Sequence, residues 1–223
     1  MLISIIIPAL NEEASIAEVL EHHLMLKGHF EVIVVDGGSL DKTVEIAKGF
    51  QNTKILKTSK GRAIQMNFGA QHASGDILLF LHADTFLPKN AYNCIIDLCK
   101  IKKVIGGSFR LNIDDKHLVF KFYRWCSRFS LEFFTYGDHT IFIKADIFRK
   151  INGYQTISFM EDVEIQKRLR REGRFKKLDA FVTTSNRRFK ENGVFSQLII
   201  DILLVILFKL GVSPNVLKKY YPD

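Results

Sequence analysis

The sequence predicts an α/β fold in which a mostly parallel central sheet is flanked by helices. Strand-like and helix-like segments alternate through the first hundred residues and are joined by short loops. The strand-like segments are continuous apolar runs, which is typical of parallel strands that are buried on both faces. A length of 223 residues fits one domain with a sizeable core.

The first half of the chain supplies four predicted strands and three predicted helices. The strands are predicted at residues 2–8, 31–36, 54–57 and 76–81, where β-branched and other apolar residues dominate. The helices are predicted at residues 12–27, through Val44 and Ala47, and at residues 61–72. Apolar side chains recur there every three or four residues, as the buried face of a helix requires.

The second half is less regular, although no repeat or linker separates it from the first. Strands are predicted at residues 104–113, at residues 140–143 and at the apolar pair Phe181-Val182, and helices at residues 88–100, 146–151 and 162–171. Residues 116–134 form a long aromatic and basic segment. The continuity of the pattern predicts a single domain over residues 1–223.

The charge is distributed unevenly along the chain. Residues 1–99 carry a net charge of −3 and residues 100–223 carry +11, which gives the total of +8. A basic second half suits a diphosphate, an anionic lipid surface or nucleic acid. We do not expect nucleic acid, because no helix-turn-helix, zinc-finger or RNP-type pattern accompanies the charge.

Cysteine usage and the first residues predict a cytoplasmic location, with a peripheral position at the inner face of the membrane left open. The three cysteines form no C-x-x-C pair, which indicates reduced thiols. Met1 runs straight into an apolar strand without the basic region of a signal peptide.

Polar residues follow three of the predicted strands. These residues are Asn11-Glu12-Glu13, Asp36-Gly37-Gly38 and His82-Ala83-Asp84. The carboxyl ends of parallel strands meet at one edge of a sheet, where ligands of α/β proteins bind. The pair Asp36 and Asp84 therefore indicates a binding site, whereas Glu13 and Asp41 suit helix caps and turns equally well.

Seven short motifs in this order resemble family-2 glycosyltransferases of the GT-A fold. They are P-A-L-N-E-E at 8–13, V-V-D-G-G-S at 34–39, K-G-R at 60–62, H-A-D at 82–84, G-D at 137–138, M-E-D-V-E at 160–164 and R-R at 187–188. The resemblance spans residues 3 to about 190, and the F-L-H-A-D-T wording is similar to a small bacterial-type subgroup. It implies a GT-A-like single domain with a nucleotide-binding lobe (1–99), an acceptor lobe (100–190) and an apolar helical tail (191–223).

The resemblance implies an inverting transfer of a sugar from a nucleotide-diphosphate donor to an acceptor hydroxyl, which can be lipid-linked. The positions that match the donor-binding residues of the family are Pro8, Ala9, Asn11, Glu12, Asp36, Gly37, Lys60, Arg62, Asp138, Arg187 and Arg188. A carboxylate at Asp36 suits the N3–H of uracil, which favours UDP over CDP. Lys60 and Arg62 also suit a solvated helix start, and Asp138 also suits a simple turn.

The resemblance also assigns the metal ligands. Asp84 takes the role of the last aspartate of the D-x-D motif, which holds Mn²⁺ or Mg²⁺ against the diphosphate. His82 replaces the first aspartate, and because imidazole suits Mn²⁺ better than Mg²⁺, this favours Mn²⁺. The alternative for His82 is a buried histidine that donates to a backbone carbonyl.

The E-D motif carries the predicted base. Asp162, the second residue of the pair, matches the carboxylate that takes the proton of the acceptor hydroxyl, and Glu161 orients the loop beside it. The same pair suits the capping of the helix that begins here.

Two other function classes stay open: a non-catalytic relative that binds nucleotide sugars or scaffolds a membrane complex, and a nucleotidyltransferase. The latter usually has a Gly-rich loop where this chain has P-A-L-N-E-E.

Residues 194–210 form the most apolar stretch of the chain. Its uninterrupted part is shorter than the roughly 20 residues that span a bilayer. Ser196, Gln197 and Asp201 share one face, which predicts a C-terminal amphipathic helix. This helix suits a membrane surface, a partner chain in a homodimer, or the domain's own core.

Overall fold

The computed structural model describes residues 1–113, 115, 117, 120, 124 and 139–221, with only the backbone of residues 188, 191, 192, 195 and 198. The described residues form one eight-stranded sheet with helices on both faces. The predicted α/β fold is therefore confirmed. Most of the aromatic segment at residues 116–134 lies outside the described residues.

The strands are β1 (Ile3–Ala9), β2 (Phe30–Asp36), β3 (Thr53–Lys57), β4 (Ile77–Phe80), β5 (Thr85–Phe86), β6 (Val104–Ile113), β7 (Ile141–Lys144) and β8 (Arg174–Thr184). The helices are α1 (Ile16–Leu24), α2 (Thr43–Lys48), α3 (Arg62–Gln71), α4 (Ala91–Lys100), α5 (Ala145–Lys150), α6 (Glu161–Glu172), α7 (Arg187–Asn192), α8 (Val194–Lys209) and α9 (Pro214–Leu217). A 3-10 turn over Lys218–Tyr220 follows α9.

The strand order in the sheet is β3-β2-β1-β4-β7-β6-β8-β5. Strands β1 to β4 run parallel to one another, β7 runs antiparallel to both of its neighbours, and β6 and β8 run parallel. The carboxyl ends of β1, β2, β4, β6 and β8 therefore meet at one edge of the sheet. This edge carries the polar residues that the sequence singled out.

Two boundaries differ from the sequence prediction for physical reasons. Helix α1 begins at Ile16 rather than Glu12, because the backbone N–H groups of Glu12 and Glu13 bond to side chains of the next loop instead. Strand β8 has 11 residues, whereas the sequence predicted only its apolar pair Phe181-Val182. Charged residues on its outer face hide the strand in a search for continuous apolar runs.

Two hydrophobic clusters fill the space on either side of the sheet. One packs α1, α2 and α4 against one face, and the other packs α3, α5 and α6 against the opposite face. A third, smaller cluster joins Met160 and Val163 to Leu204, Val205 and Leu217 of the C-terminal helices. The tail thus contacts its own domain. Among the described residues no helix is long and apolar enough to cross a bilayer.

A buried glutamine on α3 joins the ends of β1 and β2. The Gln65 side-chain amide donates to the carbonyl oxygens of Ala9 and Val35, both at 2.8 Å. A Cβ atom on Gly37 would lie 2.9 Å from the Gln65 Cδ atom, so a glycine is needed at this position. The two strand ends and the α3 helix are therefore held as one unit.

We expect Gln65→Leu to lower the free energy of unfolding by about 2 kcal/mol, since the substitution removes two buried hydrogen bonds. Urea unfolding monitored by circular dichroism measures this change. Gln71→Leu is the matched control, because Gln71 is exposed at the end of the same helix. The control should change stability by less than about 0.5 kcal/mol. Equal effects of the two substitutions would contradict the stabilising role of the two Gln65 hydrogen bonds.

A buried histidine on α1 makes stability depend on pH. Burial and, to a smaller extent, the neighbouring His22 together lower the pKa of His23 from 6.5 to about 4. Below pH 6.5 the His23 imidazole therefore binds a proton in the unfolded chain but stays neutral in the folded chain until the pH approaches 4. This contribution to stability is present above pH 6.5 and is lost as the pH falls from 6.5 towards 4.

We expect His23 to remove about 2 kcal/mol of stability between pH 7 and pH 5. Urea unfolding of the wild type and of His23→Leu at both pH values measures the difference, which should shrink in the variant. His72→Gln serves as the control, because His72 is exposed. An unchanged pH dependence in His23→Leu would contradict the assignment.

Candidate active site

The loops that follow β1 and β2 are joined by hydrogen bonds at the carboxyl edge of the sheet. Asn11 has a left-handed backbone with φ of 55°, its N–H donates to Ser39 Oγ at 3.0 Å, and its side-chain oxygen accepts from the Leu40 N–H at 2.9 Å. The Glu12 N–H donates to Thr43 Oγ1 at 2.8 Å. These contacts fix the backbone of the first motif against that of the second.

Asp36 lies at the end of β2 and is 2% exposed. It pairs with Ala9 across the two strands, and its Oδ1 atom accepts from the Ser39 N–H at 3.0 Å. One carboxylate oxygen therefore holds the turn that contains Gly37. The sequence motif is thus partly explained by local structure, and its role towards a nucleotide stays a prediction.

The Arg62 guanidinium joins three motifs that are distant in sequence. Its Nη2 atom lies 3.0 Å from Asp162 Oδ2, and its Nε atom lies 3.4 Å from Glu161 Oε1. The same Nη2 atom contacts His82 Nε2. The K-G-R, H-A-D and E-D motifs therefore meet at one side chain. Gly61, whose φ of 142° favours glycine, turns the chain into α3 immediately before this arginine.

A cleft opens around this guanidinium. Its lining residues are Pro8, Arg62, Met66, Phe80, Leu81, His82, Ile141 and Asp162. The apolar members come from the ends of β1 and β4, the start of β7 and helix α3. A charged group on an apolar floor at the strand ends is the arrangement expected for an anionic ligand of an α/β protein.

The E-D pair sits at the first turn of α6, and both residues are 6% exposed. Met160 precedes them with a left-handed φ of 64°, a conformation that costs a non-glycine residue about 1 kcal/mol. The Met160 side chain is buried in the third cluster, which holds this backbone in place. The N-terminus of α6 also carries partial positive charge, which favours carboxylates there.

Tyr154 lies behind the E-D pair. Asn67 on α3 holds its backbone with two hydrogen bonds of 2.8 and 2.9 Å, and its ring packs edge-on against Phe80. Burial raises the pKa of the Tyr154 phenol well above its usual value, and the charge of Asp162 raises it further. The phenol therefore stays neutral. Sequence reasoning missed Tyr154 and Asn67, because neither lies in a motif.

Asp84 lies where β5 meets the end of β8. Its Oδ1 atom accepts from the hydroxyls of Thr85 at 3.3 Å and Thr184 at 3.4 Å, and its carbonyl accepts from the Ser185 N–H at 3.3 Å. These contacts bring Asp84 to the start of α7. From α7, the Nη1 atom of Arg187 reaches to 3.5 Å from Glu12 Oε2.

The two predicted metal ligands are in different situations. His82 Nε2 contacts the Arg62 cation, whereas Asp84 Oδ1 accepts from two neutral hydroxyls. Among the described residues no group of three or more His, Cys, Asp or Glu side chains is arranged to hold a metal. Asp84 offers one carboxylate of the kind that suits a divalent ion, since Mg²⁺ and Mn²⁺ prefer oxygen ligands.

The structure brings together most of the predicted site residues. Four of them, Pro8, Arg62, His82 and Asp162, line the cleft, and Glu161 contacts Arg62 beside it. Six others lie along the joined loops at the same edge of the sheet; these are Ala9, Asn11, Glu12, Asp36, Gly37 and Arg187. Lys60 is exposed in the loop before α3. Asp138 lies outside the described residues, as does the side chain of Arg188.

Comparison with curated proteins gives relatives that are all longer than this chain. A probable glycosyltransferase of Bacillus subtilis (strain 168), YdaM, is 26% identical over 193 residues, which cover 75% of this chain and 46% of the relative. An undecaprenyl-phosphate 4-deoxy-4-formamido-L-arabinose transferase of Pseudomonas fluorescens is 28% identical over 137 residues, 56% of this chain and 39% of the relative. The chain thus spans less than half the length of these relatives.

Comparison with solved structures gives the same fold. S. aureus TarS 1–349 in complex with UDP-GlcNAc superposes with a TM-score of 0.71 at 18% identity, covering 83% of this chain and 58% of the other. Glucosyl-3-phosphoglycerate synthase from Mycobacterium tuberculosis, in complex with Mn²⁺, UDP and glucosyl-3-phosphoglycerate, superposes with a TM-score of 0.64 at 17% identity, covering 95% and 80%. The expected GT-A fold is therefore confirmed.

Sequence similarity shows the family directly. The family model described as glycosyl transferase family 2 matches residues 4–157, which include the first five motifs and all the residues that line the cleft except Asp162. This match covers well over half of the 223 residues. The chain belongs to glycosyl transferase family 2.

Proposed function

We propose that this protein is an inverting glycosyltransferase that moves a sugar from a nucleotide-diphosphate donor to an acceptor hydroxyl. The observation that carries the proposal is the contact of Arg62 with both Asp162 and Glu161 inside the cleft. A cation that suits a diphosphate thus lies within hydrogen-bonding distance of a carboxylate that suits a general base. Both groups that the reaction requires are available in one cleft.

We propose UDP as the nucleotide of the donor. The Asp36 carboxylate at the end of β2 suits the N3–H of uracil, and Pro8 and Ala9 at the end of β1 form the wall beside it. Glu12 suits a ribose hydroxyl, while Lys60 and Arg187 supply cations for the phosphates. Two solved structures with this fold contain UDP or a UDP-sugar, which supports the choice.

We propose that Asp84 binds Mn²⁺ or Mg²⁺ together with the donor diphosphate. The ion would neutralise the charge that the leaving diphosphate gains as the glycosidic bond breaks. Mn²⁺ is favoured, since it accompanies UDP in the mycobacterial synthase. His82 is the proposed second ligand, which requires Arg62 to move away from it.

Asp162 is the proposed base. The acceptor oxygen forms a bond to the anomeric carbon while the bond from that carbon to the diphosphate oxygen breaks, and the hydroxyl proton passes to the Asp162 carboxylate. In the ligand-free protein Arg62 occupies this carboxylate. A diphosphate carries more negative charge than one carboxylate, so a bound donor draws the guanidinium away and opens Asp162 to the acceptor.

The second candidate function is a non-catalytic relative that binds nucleotide sugars. It would keep the donor contacts but would have no use for a buried carboxylate pair beside the cleft. Glu161 and Asp162 are nonetheless both 6% exposed, and burying two carboxylates costs stability that a paired cation has to offset. Turnover, rather than nucleotide binding, separates the two functions.

We expect UDP with Mn²⁺ to raise the melting temperature by about 5 °C at saturating concentrations, since a ligand stabilises the folded state it binds. Asp84→Ala should remove most of the metal-dependent part of this shift. Differential scanning fluorimetry with and without Mn²⁺ measures both effects. Asp97→Asn, an exposed position on α4, is the control. The absence of a shift with any nucleotide diphosphate would contradict the donor assignment.

Asp162→Asn should keep the UDP-dependent shift and lower turnover by about 100-fold or more, because an amide cannot take the proton. Release of UDP from UDP-sugars measures turnover, with Asp97→Asn again as the control. A variant that retains wild-type turnover would rule out Asp162 as the base. Binding of UDP-sugars without turnover by the wild type would favour the non-catalytic relative.

Arg62→Met should weaken UDP binding about 10-fold or more, because the guanidinium is proposed to contact the diphosphate. Isothermal titration calorimetry with UDP and Mn²⁺ measures the change. Arg171→Met is the matched control, since Arg171 is exposed on α6. Unchanged affinity in Arg62→Met would restrict Arg62 to a structural role towards Glu161 and Asp162.

A further inference from the structure

The outward face of α8 is apolar. Five aliphatic side chains are 38% to 76% exposed; these are Ile199, Ile202, Leu203, Ile206 and Leu210. Spacings of three and four residues place them in one row along the helix, which we call the α8 stripe. A contiguous exposed row of this kind marks a surface that binds another apolar phase.

Two polar residues of the same helix face the protein. Gln197 is 3% exposed, and its side-chain amide donates to Asp201 Oδ1 at 2.7 Å. Leu204 and Val205 are buried on the same side. The predicted polar face is therefore only partly present, because Gln197 and Asp201 bond to each other on the inner side whereas Ser196 is exposed.

We propose that the α8 stripe docks on an anionic lipid surface. Lys209 at the end of α8 and Lys219 beyond α9 are exposed, and Tyr220 is 67% exposed. Asp201 is the sole acidic residue between positions 194 and 221, and it lies on the inward face. An apolar row followed along the chain by exposed lysines and an exposed aromatic residue matches the chemistry of an anionic membrane interface.

The charges disfavour a second copy of the chain as the occupant. A two-fold dimer places the same patch of each subunit against the other. Both copies would then bring Lys209 and Lys219 to the interface, whereas Asp201, the sole acidic residue between positions 194 and 221, lies on the inward face. Membrane crossing is also excluded as a use of this helix, since its 16 residues fall short of the roughly 20 that span a bilayer.

The position of the stripe connects it to the candidate active site. Helices α8 and α9 pack through Leu204 and Leu217 against Met160 and Val163, which flank the E-D pair. A membrane that holds the stripe therefore lies on the far side of α8 from the first turn of α6, which carries Asp162. Such a membrane would deliver a lipid-linked acceptor to the base, and only this step of the inference rests on the proposed function.

Vesicle co-sedimentation of the full chain tests the proposal. We expect binding to vesicles of phosphatidylcholine with phosphatidylglycerol and much weaker binding to phosphatidylcholine alone. The double variant Ile199→Gln/Leu203→Gln should weaken binding about 10-fold or more. The matched control is Leu24→Gln/Met25→Gln, two exposed apolar residues at the end of α1, which should leave binding unchanged.

A charge variant keeps the test valid if the stripe variant fails to fold. Lys209→Gln/Lys219→Gln should weaken binding to the anionic vesicles about 10-fold. The control Lys100→Gln/Lys102→Gln removes the same charge from the exposed end of α4 and the turn that follows, and it should have little effect. Equal losses in both lysine variants would show binding by net charge alone and would overturn the docking surface.

Two further results would overturn the proposal. The first is no binding of the wild type to anionic vesicles. The second is a dimer in light scattering that Ile199→Gln/Leu203→Gln converts to a monomer, because the stripe would then be an interface between copies. The UDP-dependent melting shift, measured on the same samples, keeps the hypotheses apart. A normal shift without vesicle binding defeats only the docking, and vesicle binding without a shift defeats only the donor assignment.

Discussion

The ion pairs of Arg62 with Glu161 and Asp162 are the interaction on which the candidate site depends. Two carboxylates that are 6% exposed would be costly to bury without a cation beside them. The Arg62 side chain is 34% exposed, so solvent or an anionic ligand can reach the guanidinium, whereas the two carboxylate side chains are each 8% exposed. The proposed chemistry therefore needs the bound diphosphate to compensate for the ion pairs that it opens.

Rigid backbone surrounds this exchangeable side chain. Gln65, one turn along α3 from Arg62, ties the helix to the ends of β1 and β2. On the opposite side of the cleft, the left-handed backbone at Met160 fixes the start of α6. Because the backbone is held in place on both sides of the cleft, at helix α3 and at the start of α6, a ligand needs to move side chains rather than helices. Such preorganisation keeps the carboxylates in place while the cation changes partner.

The sequence predicted the sheet, its carboxyl edge and most of the residues that meet there, because apolar runs and strand-end motifs are local signals. The roles of Gln65 and Tyr154 were not predicted, since a polar residue outside a motif becomes informative only when the packing of its element is known. The contact of His82 with Arg62 was not predicted for a similar reason. It forms only because the end of β4 and the start of α3 lie next to each other, and the sequence does not show this. The shared face of Gln197 and Asp201 was predicted, but its inward direction depends on the cluster at Met160.

That cluster gives the C-terminal tail a role in the site itself. The left-handed backbone of Met160 costs about 1 kcal/mol. The Met160 side chain is held by Val163 and by three residues of the tail, Leu204, Val205 and Leu217. The start of α6 therefore depends on residues that follow it by some forty positions. A force or surface that acts on α8 reaches the E-D pair through a single layer of side chains. The tail and the first turn of α6 are in this sense one structural unit, with the exposed apolar row of α8 on its outer side and the carboxylates on its inner side.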